Sequence, residues 1–287
     1  MSGKTQVAAE FQRDAVRSDD GTLIGYRWIG HGPGLVLVHG AMMTSELFEG
    51  LALALAADFT VYVPDRRGRG MSGPFGPNFG IETEIADLSA LVRETNAPNV
   101  FGLSSGAAIA LCTALAFPRI DKLALYEPPL VVDGAQLSLH WAPRYLRELG
   151  RKQLAAALVT VFKGTADRGF LASVPRFLLV PAIALALRLD KGGDGRTALR
   201  DLVPTVRYDI EVVRGSANVW DRLAGLRPDV LLLGGSRSAG FLAAALDRLQ
   251  AMLPDVVRVT LPDVGHTASF NDEKPELVAA ELRRFFA

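Results

Sequence analysis

The stretch "NVFGLSSGAAIA", residues 99–110, decides the fold and sets two serines side by side. Its first half is a short apolar run that predicts a buried strand, and the small residues after the serines predict a closely packed helix. Gly102 and Gly106 stand two residues before and two residues after Ser104, the G-x-S-x-G pattern of a sharp strand-to-helix turn that exposes a serine. Glycine lacks the Cβ atom that would collide in such a turn. In the frame of Ser105 both flanking positions carry side chains, so Ser104 is the predicted nucleophile.

Short apolar runs alternate with helical periodicity along most of the chain. The runs are continuous in hydrophobicity, as expected for strands covered on both faces of a parallel sheet. We predict strands at 35–38, 60–63, 100–103, 123–126, 230–233 and 257–261, after an opening hairpin of 13–18 and 22–29. We predict helices at 45–57, 82–94, 107–116, 241–252 and 275–286. The predicted fold class is α/β, a mostly parallel eight-stranded sheet with helices on both faces.

The alternation stops in the middle of the chain. Between residues 130 and 226 the pattern is helical, and "DKGGDGR" at 190–196 predicts a flexible joint. Ordinary connections between strands are far shorter than this stretch. We therefore expect a core formed by residues 1–129 and 227–287 and a helical cap, residues 130–226, inserted into it. A pair of long crossover helices is the simpler alternative.

The composition excludes several classes of protein. Lys plus Arg equals Asp plus Glu, so the formal net charge is zero, and without a basic stripe nucleic acid is not the expected partner. The first residues are polar and charged and contain no apolar segment of signal-peptide length. The longest apolar run, 177–189, is interrupted by Pro181 and Arg188 and is shorter than the roughly 20 residues that span a bilayer. We expect a cytoplasmic protein without a membrane span.

Two further inferences concern cysteine and cofactors. The single cysteine, Cys112, excludes an intrachain disulfide, and its place among small apolar residues of a predicted helix indicates a buried side chain. No group of residues has the spacing of metal ligands, so we expect neither a metal nor an organic cofactor.

A serine hydroxyl needs a base before it attacks, and the chain has four histidines. His31 lies in a loop before a strand, and His140 lies in the insertion. His39 and His266 each follow a predicted strand, which places both at the edge of the sheet where Ser104 lies. His39 precedes a glycine at a strand end and is interpreted as structural. His266 is therefore the predicted base.

Four motifs in this order resemble those of the α/β-hydrolase family, and the resemblance covers nearly the whole chain. They are "HGAMMTS" (39–45), "DRRGRGMS" (65–72), "GLSSG" (102–106) and "GH" (265–266). They resemble the oxyanion loop, the segment after the fourth strand, which we interpret as structural, the nucleophile elbow and the histidine loop of that family. The insertion also falls where the family carries a cap, after the sixth strand.

The resemblance implies roles for particular residues. Ser104 would be the nucleophile and His266 the base. The oxyanion hole would be formed by the backbone N–H groups of Ser105 and Ala41, with Met42 as the alternative to Ala41.

The acid of the triad departs from the family's commonest pattern. That acid usually follows the seventh strand, but the stretch here, 231–241, reads "LLLGGSRSAGF" without a carboxylate. Asp229 lies at the opposite end of the strand, Asp247 lies deep in the next helix, and Asp263 is interpreted as a turn residue. Glu127 ends the sixth strand, in an arrangement that resembles haloalkane dehalogenases. We predict Glu127 as the acid, with a surface or helix-capping glutamate as the alternative.

The predicted triad is Ser104, Glu127 and His266, and the predicted activity is that of a serine hydrolase. The substrate would be a small hydrophobic ester, lactone or related acyl compound, cleaved through an acyl-enzyme. A serine nucleophile disfavours dehalogenase and epoxide-hydrolase chemistry. C–C bond hydrolysis or cofactor-free perhydrolysis on the same residues is one alternative. A small-molecule receptor that has lost turnover is the other.

The insertion contains an apolar stripe around residues 178–187. Met43, Leu179 and Ile183 are the candidates for a substrate pocket. Packing of the stripe against the core or against a second copy of the chain, as a homo-oligomer, is an equal alternative.

Overall fold

The computed structural model describes residues 10–132, 139–165, 173–193, 196–253 and 255–287. Within these ranges the apolar runs form one eight-stranded sheet. The strands are β1 (Gln12–Arg17), β2 (Leu23–Gly30), β3 (Gly34–Val38), β4 (Thr60–Pro64), β5 (Asn99–Leu103), β6 (Lys122–Tyr126), β7 (Asp229–Gly235) and β8 (Val257–Leu261).

The order of the strands brings three loops together at one edge of the sheet. The order is β1-β2-β4-β3-β5-β6-β7-β8, and all strands after β2 are parallel to one another. Leu103 pairs with Tyr126, which pairs with Leu233, so β5, β6 and β7 end side by side. Ligands bind at the carboxyl ends of the strands in sheets of this kind. The residues that follow these three strands, beginning with Ser104 and Glu127, therefore lie at the same edge of the sheet.

Helices cover both faces of the sheet. In chain order, the helices of the described residues, including those between β6 and β7, are α1 (Glu49–Leu55), α2 (Ile81–Thr95), α3 (Ser105–Ala116), α4 (Ala142–Gly150), α5 (Leu154–Thr165), α6 (Arg176–Leu189), α7 (Leu199–Leu202), α8 (Val206–Gly215), α9 (Val219–Arg222), α10 (Gly240–Met252) and α11 (Pro275–Phe286). Successive strand residues point to opposite faces. Val100 accordingly packs in the cluster with α2, α3 and α10, whereas Phe101 packs in the cluster with α1 and α11.

The described residues between β6 and β7 are helical or irregular, apart from an isolated bridge between Gly193 and Arg196. A third apolar cluster, which includes Tyr145, Leu158 and Ile210, belongs to this insertion. Later residues, from Val212 onward, pack instead in the cluster beneath the sheet. Residues 133–138 and 166–172, and positions 194 and 195 of the predicted joint, lie outside the described ranges.

The apolar stripe of the insertion forms α6, and much of it is exposed. Phe177, Leu178, Leu185 and Leu189 are exposed, whereas Leu179 is buried. Across the described part of the chain, no helix has both the length and the hydrophobicity that crossing a bilayer requires.

The predicted α/β fold and its predicted elements are confirmed. Each predicted strand and helix is present within a few residues, and the predicted strand at 257–261 has the same bounds as β8. The largest difference is at 45–57, where a short 3-10 turn, Ser45–Phe48, precedes α1.

Candidate active site

Ser104 stands in a strained turn between β5 and α3. Its backbone has φ 56° and ψ −127°, and a non-glycine residue in that region stores of order 1–3 kcal/mol. The two flanking glycines are sterically required. A Cβ on Gly102 would lie 2.5 Å from the Gly106 carbonyl oxygen, and a Cβ on Gly106 would lie 2.3 Å from the Val38 carbonyl oxygen. The turn therefore places Ser104 at the N-terminus of α3, where the helix dipole favours negative charge.

Glu127 binds both the end of β7 and the candidate base. It follows β6 with a positive φ of 48° and is 1% exposed. Its Oε1 accepts the Gly235 N–H at 2.7 Å, and its Oε2 accepts from His266 Nδ1 at 2.6 Å. The Glu127 side chain thus reaches the end of the strand after which the family usually carries the acid. An imidazole that donates from Nδ1 to a carboxylate keeps Nε2 free of a proton, so Nε2 can accept one.

Tyr126 connects the serine turn to the histidine loop. Its backbone carbonyl accepts the Ser104 N–H at 2.9 Å, and its hydroxyl donates to the Gly265 carbonyl at 2.8 Å. Burial raises the pKa of this phenol well above its ordinary value, so it remains a donor at all working pH values. The side chain of His266 is 34% exposed at this edge of the sheet. The structure therefore brings Ser104, Glu127 and His266 to one edge, as predicted.

The other carboxylates that the sequence offered lie elsewhere. Asp263 is an exposed turn residue with φ 58°, and it pairs with Arg237 at 2.9 Å. Asp247 pairs with Arg258, and Asp229 begins β7 at the far edge of the sheet.

The remaining histidines are also accounted for. His39 is fully buried: its Nε2 accepts the Arg66 N–H at 3.1 Å, and its Nδ1 donates to the Gly40 carbonyl at 3.0 Å. Burial and the neighbouring arginines hold the pKa of His39 well below its ordinary value, so the ring is neutral. This agrees with the structural interpretation of His39. His31 and His140 are exposed.

The loop of residues 39–45, the proposed oxyanion loop, packs directly against the serine turn. A Cβ on Gly40 would lie 3.0 Å from the Ser104 Cβ, so glycine permits this close approach. Met42 adopts a positive φ of 53° and packs against the apolar cluster of the insertion. Met43 is buried, and its sulfur accepts the Gly40 N–H at 3.3 Å. The loop thus contacts Ser104 on one side and the insertion on the other.

The structure also contains functional candidates that the sequence analysis missed. Arg66 and Arg69, in the motif interpreted as structural, both bind Asp209 of α8. All three are buried next to Ser105, whose hydroxyl donates to Asp209 at 2.8 Å. An acidic residue on the otherwise apolar face of the α8 sequence, one position before Ile210, was the signal that could have revealed Asp209.

The predicted pocket residues of the insertion lie on one helix, and the single cysteine is buried. Leu179 is buried on α6, and Ile183 is half-buried one turn later, so both lie on the same face of that helix. Cys112 is buried in α3, and burial raises its thiol pKa to about 11, as expected for an unreactive cysteine. Among the residues that the structure describes, no three His, Cys, Asp or Glu side chains are grouped as a metal site would require.

The model of the Alpha/beta hydrolase family matches residues 35–281, and the chain belongs to this family. A solved structure of an alpha/beta hydrolase from Sphaerobacter thermophilus superposes with a TM-score of 0.78 at 29% identity, covering 96% of this chain and 100% of that one.

Two relatives carry more particular names. The chain is 28% identical over 270 residues to a pimeloyl-acyl-carrier-protein methyl ester esterase from Stenotrophomonas maltophilia, covering 90% of this chain and 94% of the relative. It is 25% identical over 271 residues to 2-(acetamidomethylene)succinate hydrolase from Mesorhizobium japonicum, covering 89% and 88%. With its family and these relatives, the chain is a hydrolase-like enzyme.

Proposed function

We propose that the enzyme is a serine hydrolase that cleaves a small hydrophobic ester, lactone or related acyl compound through an acyl-enzyme. The observation that carries the proposal is the 2.6 Å contact between Glu127 and His266 at the sheet edge where Ser104 stands in a strained turn. Strained backbone positions cluster at catalytic sites, and here the proposed nucleophile and the proposed acid both have positive φ.

The proposed chemistry follows from these positions. His266 Nε2 takes the hydroxyl proton of Ser104 while Ser104 Oγ bonds to the acyl carbon of the substrate. The carbonyl oxygen of the substrate then becomes an oxyanion. Glu127 stabilises the imidazolium through Nδ1. The N–H groups of Ser105 and Ala41 stabilise the oxyanion. The imidazolium then protonates the leaving alcohol, and a water activated by the same histidine cleaves the acyl-enzyme.

The proposed substrate class is supported by chemistry around the site. Leu179 and Ile183 lie on one face of α6, and Met42 joins the same apolar cluster as Ile183. We propose that residues 130–226 form a cap over the sheet edge and that its apolar side chains accept the acyl chain. The two named relatives hydrolyse a carboxylic ester and an acetamidomethylene succinate, which supports acyl chemistry without defining the substrate.

The proposal is tested with a fluorophosphonate probe and intact-mass detection, followed by p-nitrophenyl esters of graded chain length. We expect the wild type to gain one label and to turn over short and medium esters. Ser104→Ala should gain no label and lose turnover. Cys112→Ala, which removes the buried thiol of α3, should be labelled like the wild type.

Two results would contradict the proposal. Labelling that persists in Ser104→Ala would show that another residue is the nucleophile. A wild-type enzyme that neither reacts with the fluorophosphonate nor cleaves any of the esters would exclude the proposed serine mechanism. A labelled enzyme that cleaves no ester would instead direct the search to C–C hydrolysis or perhydrolysis on the same residues.

A further inference from the structure

A buried cluster of charged side chains lies beneath the oxyanion loop, and the proposed chemistry does not use it directly. Its members are Arg66, Arg69, Glu84 and Asp209, each with at most 7% of its side chain exposed. Buried ion pairs are weak evidence for stability, because well-packed apolar residues would serve as well. The geometry of this cluster indicates a different role.

Asp209 is the point at which the cluster meets the serine turn. Its Oδ1 accepts from Arg66 Nη1 and from the Ser105 hydroxyl, both at 2.8 Å, and its Oδ2 accepts from Arg69 Nη2 at 2.6 Å. Burial raises the pKa of Asp209, but the two guanidinium groups and the Ser105 hydroxyl lower it further, so the net shift is downward. Asp209 is therefore ionised at neutral pH and holds Ser105, whose N–H is a proposed oxyanion donor.

The same arginines hold the peptide of the other proposed donor. The Gly40 carbonyl accepts from Arg69 Nη1 at 3.1 Å and from Arg66 Nη1 at 3.4 Å, in addition to His39. The C=O and N–H of a planar trans peptide point in opposite directions. Donors that fix the Gly40 carbonyl therefore also fix the direction of the Ala41 N–H. Positive charge at that carbonyl polarises the peptide and strengthens its N–H as a donor.

We propose that Asp209 is a positioning residue for the oxyanion hole. One carboxylate from the insertion orients both proposed donors, Ser105 through its hydroxyl and Ala41 through Arg69 and the Gly40 carbonyl. This inference rests on the proposed hydrolase function. It also assigns a role to the Ser105 hydroxyl, which anchors the peptide that follows the proposed nucleophile Ser104.

The expected effect is on the transition state and not on substrate binding. Removing one oxyanion donor typically lowers kcat by about 10²–10³. Asp209→Asn leaves the donors in place but loosens them, so we expect a loss of about 10–100-fold in kcat. The value of KM should stay within about threefold, because the oxyanion forms only after binding.

The experiment compares Asp209→Asn and Ser105→Ala with a matched control on p-nitrophenyl butyrate. Ser105→Ala removes an uncharged hydroxyl that donates to Asp209 and accepts from Arg66, and it keeps both ion pairs of Asp209, so it tests the idea even if Asp209→Asn does not fold. The control is Glu148→Gln. Glu148 is likewise a buried carboxylate of the insertion, bound to Arg144, Arg176 and Thr160. Each variant is also tested with a trifluoromethyl ketone, which forms a tetrahedral oxyanion on the serine, and with the matching methyl ketone.

We expect kcat and the affinity for the trifluoromethyl ketone to fall in parallel in Asp209→Asn and in Ser105→Ala. Affinity for the methyl ketone, and all constants of Glu148→Gln, should stay near wild type. A folded Ser105→Ala variant with wild-type kcat and wild-type affinity for the trifluoromethyl ketone would overturn the proposal, and the cluster would then have only a structural role. A change confined to KM would overturn it as well. Absence of any Ser104-dependent turnover in the wild type would instead contradict the hydrolase proposal itself.

Discussion

Replacing Glu127 with glutamine tests the least common feature of the proposed triad. Both carboxylate oxygens are acceptors: Oε1 binds the Gly235 N–H at 2.7 Å and Oε2 binds His266 Nδ1 at 2.6 Å. A glutamine offers one acceptor and one donor in the same volume. It can satisfy one of these N–H partners and must oppose the other.

The size of the effect follows from the two orientations of the amide. If the amide oxygen faces Gly235, the NH2 group faces Nδ1 and favours the tautomer with its proton on Nε2, which cannot act as base. If the oxygen faces His266, two N–H groups meet at the end of β7, which costs about 1–3 kcal/mol. A comparable amide substitution lowered kcat by about 10⁴. We expect a loss of about 10³–10⁴ here, equivalent to roughly 4–5.5 kcal/mol of transition-state stabilisation.

The assay is steady-state hydrolysis of a p-nitrophenyl ester at neutral pH, with circular dichroism to establish that the variant is folded. Asp263→Asn is the matched control, because Asp263 is three residues from His266 but exposed and paired with Arg237. It should retain kcat within about twofold, as surface pairs contribute little. If Glu127→Gln keeps more than a tenth of wild-type kcat/KM, our assignment of the acid is wrong.

A second variant tests whether the end of β7 can supply the acid instead. The Ser238 hydroxyl is shielded from solvent and has no hydrogen-bond partner within the described residues. Ser236, by contrast, accepts the Asp263 N–H at 2.9 Å and belongs to that turn. We therefore expect Ser238→Asp to restore at least tenfold of the activity lost in Glu127→Gln, an estimate scaled to the loss expected above. No recovery in a folded double variant would show that this position does not reach the imidazole.

Three further predictions follow from individual contacts. Gly106→Ala should destabilise the protein by about 1–3 kcal/mol in urea unfolding and lower kcat, because the new Cβ would meet two backbone carbonyl oxygens at 2.3 and 2.5 Å. Gly150→Ala is the control and should have neither effect, because a Cβ at that position would meet no neighbouring atom within 4 Å. Leu179→Trp should change the preference among acyl chain lengths, and Leu185→Trp, at a position 59% exposed on the same helix, should not; equal effects would contradict an inward face for Leu179. The hydrogen bond from the Arg67 side chain lowers the pKa of Asp20, so the ionised carboxylate stabilises the fold above its unfolded-state pKa near 4 and stabilises it less as the pH falls below that value. Asp20→Asn should therefore lower the urea midpoint more at pH 7 than at pH 3. An equal decrease at both pH values would refute this linkage.

Local sequence patterns were sufficient to predict the fold and to place three candidate residues at one edge of the sheet. Short continuous apolar runs are typical of strands that are buried on both faces, and the runs at 35–38, 60–63, 100–103, 123–126 and 230–233 each lie in a strand. Ser104 was identifiable because the flanking glycines answer a steric demand of the turn. Glu127 and His266 were identifiable because each follows a strand, and parallel strands end at a common edge.

The proposed role of Asp209 depends on contacts between distant residues, which no local pattern encodes. Asp209 lies 104 residues from Ser105, and no sequence feature near either residue predicts the contact between them. The arginines of "DRRGRGMS" were recognisable as a motif, but their partners on the insertion were not. The apolar stripe around 178–187 left open whether a substrate, the core or a second copy of the chain covers it. Leu178 and Leu185 are more than half exposed, because hydrophobicity alone does not say which neighbour will cover a helix.

The two ion pairs of Asp209 also bear on how this enzyme could be recombined with its relatives. A chimera that exchanged residues 130–226 for the insertion of another hydrolase would delete Asp209. Arg69 would then be buried without its counter-charge, and Arg66 would keep Glu84 alone. Removing one partner of a buried pair costs about 3–5 kcal/mol, a large fraction of the stability of an ordinary domain. A junction placed before Val206 would keep α8 with the parent chain, together with the Val212 contacts to the cluster beneath the sheet. An exchanged segment should therefore end before α8, so that Asp209 stays with Arg66 and Arg69 in the parent chain.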